Sequence, residues 1–170
     1  MSEVQRKLAT YFPDLRDDDL RKLEEDALSR NTLRRIEKAI TDEVRTRGYT
    51  PDFLNDLGYI GTIQQLVVEA VFGYWSQNQK AAGLKDTYGR VLEKIRIRRA
   101  NSSWIWPVPS KRTVDRRVNE CASNNARENH ILDPKTGKPR IIQDHIDSND
   151  SYYRPNPVMF EQAIKEAART

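Results

Sequence analysis

The sequence predicts a mainly α-helical protein with one small β-hairpin near its C-terminal end, and three observations carry that reading. Ile63, Leu66, Val67, Ala70, Val71, Tyr74 and Trp75 hold the i, i+3, i+4, i+7 spacing of a helix stripe without a break. Residues 110–122 combine a capping serine with an inner face of Val114, Val118, Cys121 and Ala122. Past Asn129 the apolar residues gather instead into short β-branched runs around a turn bearing proline and glycine.

The first 50 residues read as helical hairpin material. Asp17, Asp18 and Asp19 suit a helix start, since carboxylates favour the positive end of the helix dipole, and Leu20, Leu23, Ala27 and Leu28 follow at helical spacing. Residues 29–32 offer a break and a new cap, after which Leu33, Ile36, Ile40 and Val44 share one stripe up to Gly48. Thr50 and Pro51 predict the cap and first position of a short helix closing at Gly58. The long stripe of residues 63–75 is expected to end at Gly83, and a further helix to run from Asp86 to about Ala100. Tyr88, Val91, Leu92 and Ile95 would face inward there, leaving Arg90, Lys94 and Arg98, with Arg96 and Arg99, to face elsewhere.

Two prolines and two tryptophans then interrupt the helices at residues 101–110, where Trp104 and Trp106 are expected to form a packed corner rather than a platform for bases. Ser110 caps the next helix, whose open face carries Lys111, Arg112, Asp115, Arg116 and Asn119, with Thr113 and Arg117 flanking. Residues 130–132 and 140–142 predict a hairpin spanning 130–143 around the turn 133–138. Lys135 and Lys138 stand at its tip and Arg140 on the returning strand. Residues 147–157 read as a polar loop with one short extended piece at 152–154. Asn156 and Pro157 open a last helix with Phe160, Ala163, Ile164 and Ala167 as its stripe. The expected organisation is an N-terminal helical region (1–58), a central domain (59–155) and a closing helix (156–170).

Charge sharpens the functional reading. Of the 170 residues 32% are charged, with a net of +4, and mean hydropathy is −0.82. Residues 1–84 carry 12 Lys/Arg against 14 Asp/Glu, residues 85–117 carry 10 against 3, and residues 118–170 carry 7 against 8. The basic excess is therefore confined to 33 residues ending inside the 110–122 helix, which favours a polyanionic partner over general solubility. Lys111 and Arg112 also sit in a first helical turn, where the dipole disfavours cations, so an external anion is expected to complete that site. No apolar run approaches the roughly 18 residues of a membrane span, and no secretory leader or disulfide pair is visible, since Cys121 is the one cysteine. A reducing, cytoplasmic setting is the expectation, nucleoid-associated in a prokaryote.

Helix, helix, polar connector, basic helix and hairpin, in that order, resemble the winged helix-turn-helix family over roughly residues 60–155. Residues 110–121 stand as recognition helix and 131–142 as wing. Ser110, Arg112, Thr113, Val114, Arg116 and Val118 are similar to the wording of winged-helix regulators and of replication modules in phages and plasmids. The family's second helix would be residues 86–100 or a short turn within 101–106. The resemblance implies binding to double-stranded DNA, by a regulator or a replication or partition factor of a mobile element, commonly as a homodimer through flanking helices.

The physical reading runs alongside it. A major groove about 12 Å wide admits one helix, and residues near that helix's N-terminal end reach base edges. Lys111, Arg112 and Arg116 are placed for that, Arg pairing with guanine, and Asn119 can pair with adenine. Arg98 and Arg99 would neutralise phosphate, and Lys135, Lys138 and Arg140 would meet backbone or minor groove. No cofactor, metal or small-molecule site is expected. A protein-docking module is the alternative. A metal-dependent nuclease built on His130 and His145, with Glu128, Asp144 and Asp147, ranks lower because no ligand spacing such as HxH or HExxH occurs.

Overall fold

A computed structural model of the chain describes residues 2–47, 58–122, 132, 133 and 135–169. The helices expected at 50–58 and the first two residues of the expected 130–132 strand, His130 among them, lie outside the described residues, save for Gly58 itself.

The described chain is mainly helical with a two-stranded antiparallel sheet. Seven helices, α1 (Glu3–Tyr11), α2 (Asp17–Glu25), α3 (Ala27–Arg47), α4 (Tyr59–Asn78), α5 (Leu84–Ala100), α6 (Lys111–Cys121) and α7 (Glu161–Arg169), surround or flank strands β1 (Ile141–Asp147) and β2 (Asp150–Pro155). Ser2 and Gln5 close a reciprocal capping box on α1. The break between α2 and α3 falls at Asp26, not at residues 29–32, so Ser29 and Thr32 lie inside α3. The α2 start at Asp17 is as the acidic triplet predicts.

Helix α4 is the axis of the molecule. Gly61, Thr62, Gln64, Gln65 and Glu69 are buried together with the apolar stripe, so the helix is covered nearly all round, by α3, α5, α6 and β2. It stops at Gln79, a non-glycine residue in the left-handed region (φ 53°), and Gly83 instead caps the start of α5. One continuous core joins Leu8, Tyr11, Ile36, Ile40, Val71, Trp75, Val91, Val118, Ile141 and Phe160. It therefore passes through all three expected segments. The stripe of α3 (Leu33, Ile36, Ile40, Val44) is spent inside this core. Helix α7, entered through a short 3-10 turn that Asn156 caps, lies along α3, where the Ala167 carbonyl accepts from Arg35 Nε at 3.2 Å.

The hairpin differs from the expected one. β1 pairs with β2 through the two-residue turn Ser148–Asn149, both residues at positive φ (51° and 69°), the backbone of the hairpin turn whose twist suits antiparallel strands. The loop read as a wing tip is a separate closed turn at the foot of this sheet. Asp133 N–H donates to the Lys138 carbonyl at 2.8 Å, and Leu132 bridges Pro139 alone. Ile141 and Ile142 then pair with Pro155 and Arg154. Ala82, between α4 and α5, exchanges two backbone hydrogen bonds with Tyr153 (2.8 and 2.9 Å), adding a one-residue third rung to the sheet.

Arg154, on β2, has no exposed surface. Its guanidinium lies 4.1 Å from the Trp75 ring centroid and 5.2 Å from that of Tyr11, and it donates to the Tyr11 hydroxyl at 2.8 Å. Burial pushes the Tyr11 pKa up to about 12, against the lowering influence of Arg154. A phenol whose folded pKa is raised contributes stability that is intact below its unfolded pKa, near 10, and is lost as pH rises towards 12. Stability measured by urea unfolding is expected to fall across that window, and to fall less steeply in Tyr11→Phe, since burial also raises Tyr74 and Tyr153. At the end of α4, Gln79→Gly is expected to raise stability by about 0.5–1 kcal/mol by relieving a left-handed residue.

Candidate nucleic-acid interface

Helix α6 forms where the sequence puts it. Ser110 Oγ accepts from Thr113 N–H at 3.2 Å and lies 3.0 Å from Thr113 Oγ1, so Thr113's hydroxyl belongs to the cap. Val114, Val118 and Cys121 are fully or nearly fully buried against α4. That anchoring leaves Lys111, Arg112 and Arg116 exposed, and none of the three makes an ion pair or side-chain hydrogen bond with another described residue. Three cations thus stand unneutralised on one helix face, two of them at the end where the dipole opposes them.

The flanking positions divide differently. Arg117 is not presented outward: it is 9% exposed, with Nη1 2.7 Å from both carboxylate oxygens of Glu120, which in turn accepts from Gln64 of α4 at 2.7 Å. It is a strut between α6 and α4. Asn119 is exposed, but its Oδ1 accepts from the Tyr153 hydroxyl at 2.7 Å, so the side chain is held to the hairpin.

On α5, Arg98 leans towards buried Glu69 (3.6 Å), as does Lys94 (3.9 Å). Burial raises the Glu69 carboxyl above its ordinary value, with the two cations pulling the other way. Arg96 is taken by Glu93 at 2.5 Å. Arg99 is exposed and unpaired among the described residues. Lys135 and Lys138 are exposed on the closed turn 133–138, and Arg140 is half-buried immediately before β1. These three therefore sit at the foot of the sheet and not at a hairpin tip. The tip that does exist carries Asp147 and Asp150, exposed and acidic.

The aromatic corner is packed, as expected: Trp104 is buried and meets Trp106 edge-on at 5.5 Å. Tyr153 is buried in the hairpin. Tyr152 stacks flat on its cross-strand partner His145 at 4.6 Å.

Sequence reasoning missed the polar network below them. A bulge between Gln143 and His145 turns Asp144 inward, where Arg6 of α1 (3.1 Å) and His145 Nδ1 (2.6 Å) hold it. With Glu3, Lys7, Tyr74 and Lys80 these residues line a cleft of about 610 Å³. Asp144 and His145 are adjacent in sequence, but the partner that fixes them is 138 residues away, and no local pattern reports it. Among the described residues no group of three or more His, Cys, Asp or Glu could hold a metal ion, and no helix is long and apolar enough to cross a membrane.

Comparison with protein-family models, with curated proteins and with solved structures gives no match. The site is therefore argued from its own residues.

The division of α6 into strut and open face is measurable. Arg117→Ala is expected to cost about 1 kcal/mol in urea unfolding, because it removes a packed, largely buried side chain and its ion pair with the partly exposed Glu120. Arg112→Ala is expected to stay within about 0.5 kcal/mol of wild type.

Proposed function

We propose that the protein binds double-stranded DNA through a winged-helix arrangement, with α6 in the major groove. The observation that carries this reading is the outward face of α6, where Lys111, Arg112 and Arg116 stand exposed and unpaired on a helix anchored along its other side. An isolated helix in a groove contacts bases from its N-terminal residues, and these are the residues left free.

The connectivity supports the same reading. In order come helix α4, a strand-like residue Ala82, helix α5, helix α6 and the β1–β2 hairpin, with Ala82 paired to the second hairpin strand. This order supports α5 as the second helix of the motif, and the connector 101–110 as a long form of its turn. Phosphate contacts are assigned to Arg99 and, from the foot of the sheet, to Lys135 and Lys138. Arg98, Arg117 and Asn119 are assigned structural roles, since each already has a partner. The acidic hairpin tip is kept away from phosphate. Regulator and replication or partition factor are both accommodated, and a homodimer would report itself as a palindromic selected site.

The test is duplex binding across salt. With about six phosphates contacted, wild-type affinity is expected to fall roughly 10³-fold between 50 and 200 mM salt. Lys111→Ala/Arg112→Ala/Arg116→Ala is expected to weaken binding at every salt concentration and to relax discrimination between duplex sequences. Equal affinity of the triple variant, or a flat salt response in wild type, would reject the reading.

A further inference from the structure

Between Glu93 and Asp115 the sequence contains no carboxylate, while Lys94, Arg96, Arg98, Arg99, Lys111 and Arg112 all fall inside that interval. In its middle stands Ile105, at 81% the most exposed large apolar side chain among the described residues. A large aliphatic residue left in water there forgoes the stabilisation that burial would contribute.

Its exposure is built, not incidental. Helix α5 ends in a motif in which Ser103 N–H reaches back to the Arg98 carbonyl at 2.8 Å and Ser102 N–H to the Arg99 carbonyl at 3.0 Å. Ser102 takes the left-handed conformation, φ 59°, that this ending requires. The chain therefore turns sharply before Trp104, which is buried and braced edge-on by Trp106. Pro107 and Pro109 stiffen the return to Ser110, and Pro109 is itself buried. Between two tryptophans that face the protein, Ile105 faces away. It lies five residues before the cap of α6, so at most roughly 18 Å of chain separates it from Ser110.

We propose that Ile105 is a further DNA-contact residue, packing on a thymine methyl group in the major groove beside the N-terminal end of α6. This inference rests on the DNA-binding reading above. The occupant is argued from charge. The interval is cationic and free of carboxylates in sequence, Asp115 standing at its far end, and Glu69 and Glu93 are paired with Lys94, Arg98 and Arg96. Arg99 remains to meet phosphate and Lys111 and Arg112 to meet base edges around the apolar contact. The thymine C5-methyl is the one apolar group that base edges offer in the major groove, and a rigid aliphatic side chain recognises it without a hydrogen bond.

The test is a chemical double-mutant cycle on a duplex selected from random sequence by wild-type protein. The full chain and Ile105→Ala are each measured against that duplex and against a copy in which deoxyuridine replaces thymidine. Ile105→Ala is expected to weaken binding to the thymidine duplex by about tenfold, with the salt slope unchanged. Removing the methyl groups is expected to weaken wild type more than the variant, and Ile105→Leu to restore most of the affinity. Circular dichroism and thermal unfolding of Ile105→Ala are expected to match wild type, because the side chain makes no core contact.

Equal affinity of Ile105→Ala and wild type would overturn the inference and leave the DNA reading standing. So would a loss of affinity indifferent to the methyl groups, or an Ile105→Ala defect seen only in self-association, which would make Ile105 a protein-docking anchor. A wild-type protein that selects no duplex at low salt would instead reject the DNA reading itself, and this assignment with it.

Discussion

A buried guanidinium organises this fold. Arg154 lies between the rings of Trp75 and Tyr11, so one side chain from β2 fastens the central helix α4 and the N-terminal helix α1 to the sheet. A cation without exposure costs several kcal/mol unless rings and hydrogen-bond acceptors replace its water. Here two aromatic faces, the Tyr11 hydroxyl and the Pro155 carbonyl at 3.2 Å take that part. The second tie across the same seam, Arg6 to Asp144, repeats the arrangement nearer the surface. Together they explain why the N-terminal helices belong to the same core as the sheet.

The sequence makes α6 legible because everything that defines it is local. Its cap, its apolar stripe and its basic face all fall within 12 residues; Arg117 departs, drawn in by Glu120 one turn on, which Gln64 of another helix holds, and Asn119 is tied to Tyr153 of the hairpin. Helix α4 is legible by its stripe but not at its end. Gln79 takes the conformation that Gly83 was expected to supply, because Gly83 sits where the chain packs close under Tyr152 (3.1 Å from where a Cβ would stand) and enters α5.

The hairpin is illegible for a physical reason. Residues 133–138 carry the strongest turn letters, proline and glycine, and they do make a turn. The turn that organises the sheet uses Ser148 and Asn149, neither of which announces positive φ as glycine does. The bulge at Asp144 then shifts the side-chain alternation halfway along β1, so no two-residue period survives across 141–147. What makes the bulge worthwhile is Arg6, far away in sequence. Lys135 and Lys138 stay on the 133–138 turn, apart from the β1–β2 tip, whereas Lys111, Arg112 and Arg116 keep their places on the α6 face.

The same partition governs the basic segment. Ten Lys and Arg residues lie in residues 85–117, and a sequence count treats them alike. The fold does not. Glu69, buried in α4 and holding a carboxyl raised by desolvation, gathers Lys94 and Arg98 to itself. Glu120 gathers Arg117, and Glu93 gathers Arg96. Each of these acids converts a cation that could have met a ligand into a fastener between helices or along one. Arg90 is held by Gln77 and the Tyr74 ring. The remainder, Lys85, Arg99, Lys111, Arg112 and Arg116, is smaller than the count suggests and more sharply placed, because the α6 members are held on a helix whose opposite face is fixed in the core. An anion meeting this surface would meet side chains with no competing internal partner to leave, so its approach carries no cost of breaking ion pairs. Charge that an internal partner already holds cannot recognise a ligand, and the residues that can are those the acids of α4, α5 and α6 have left alone.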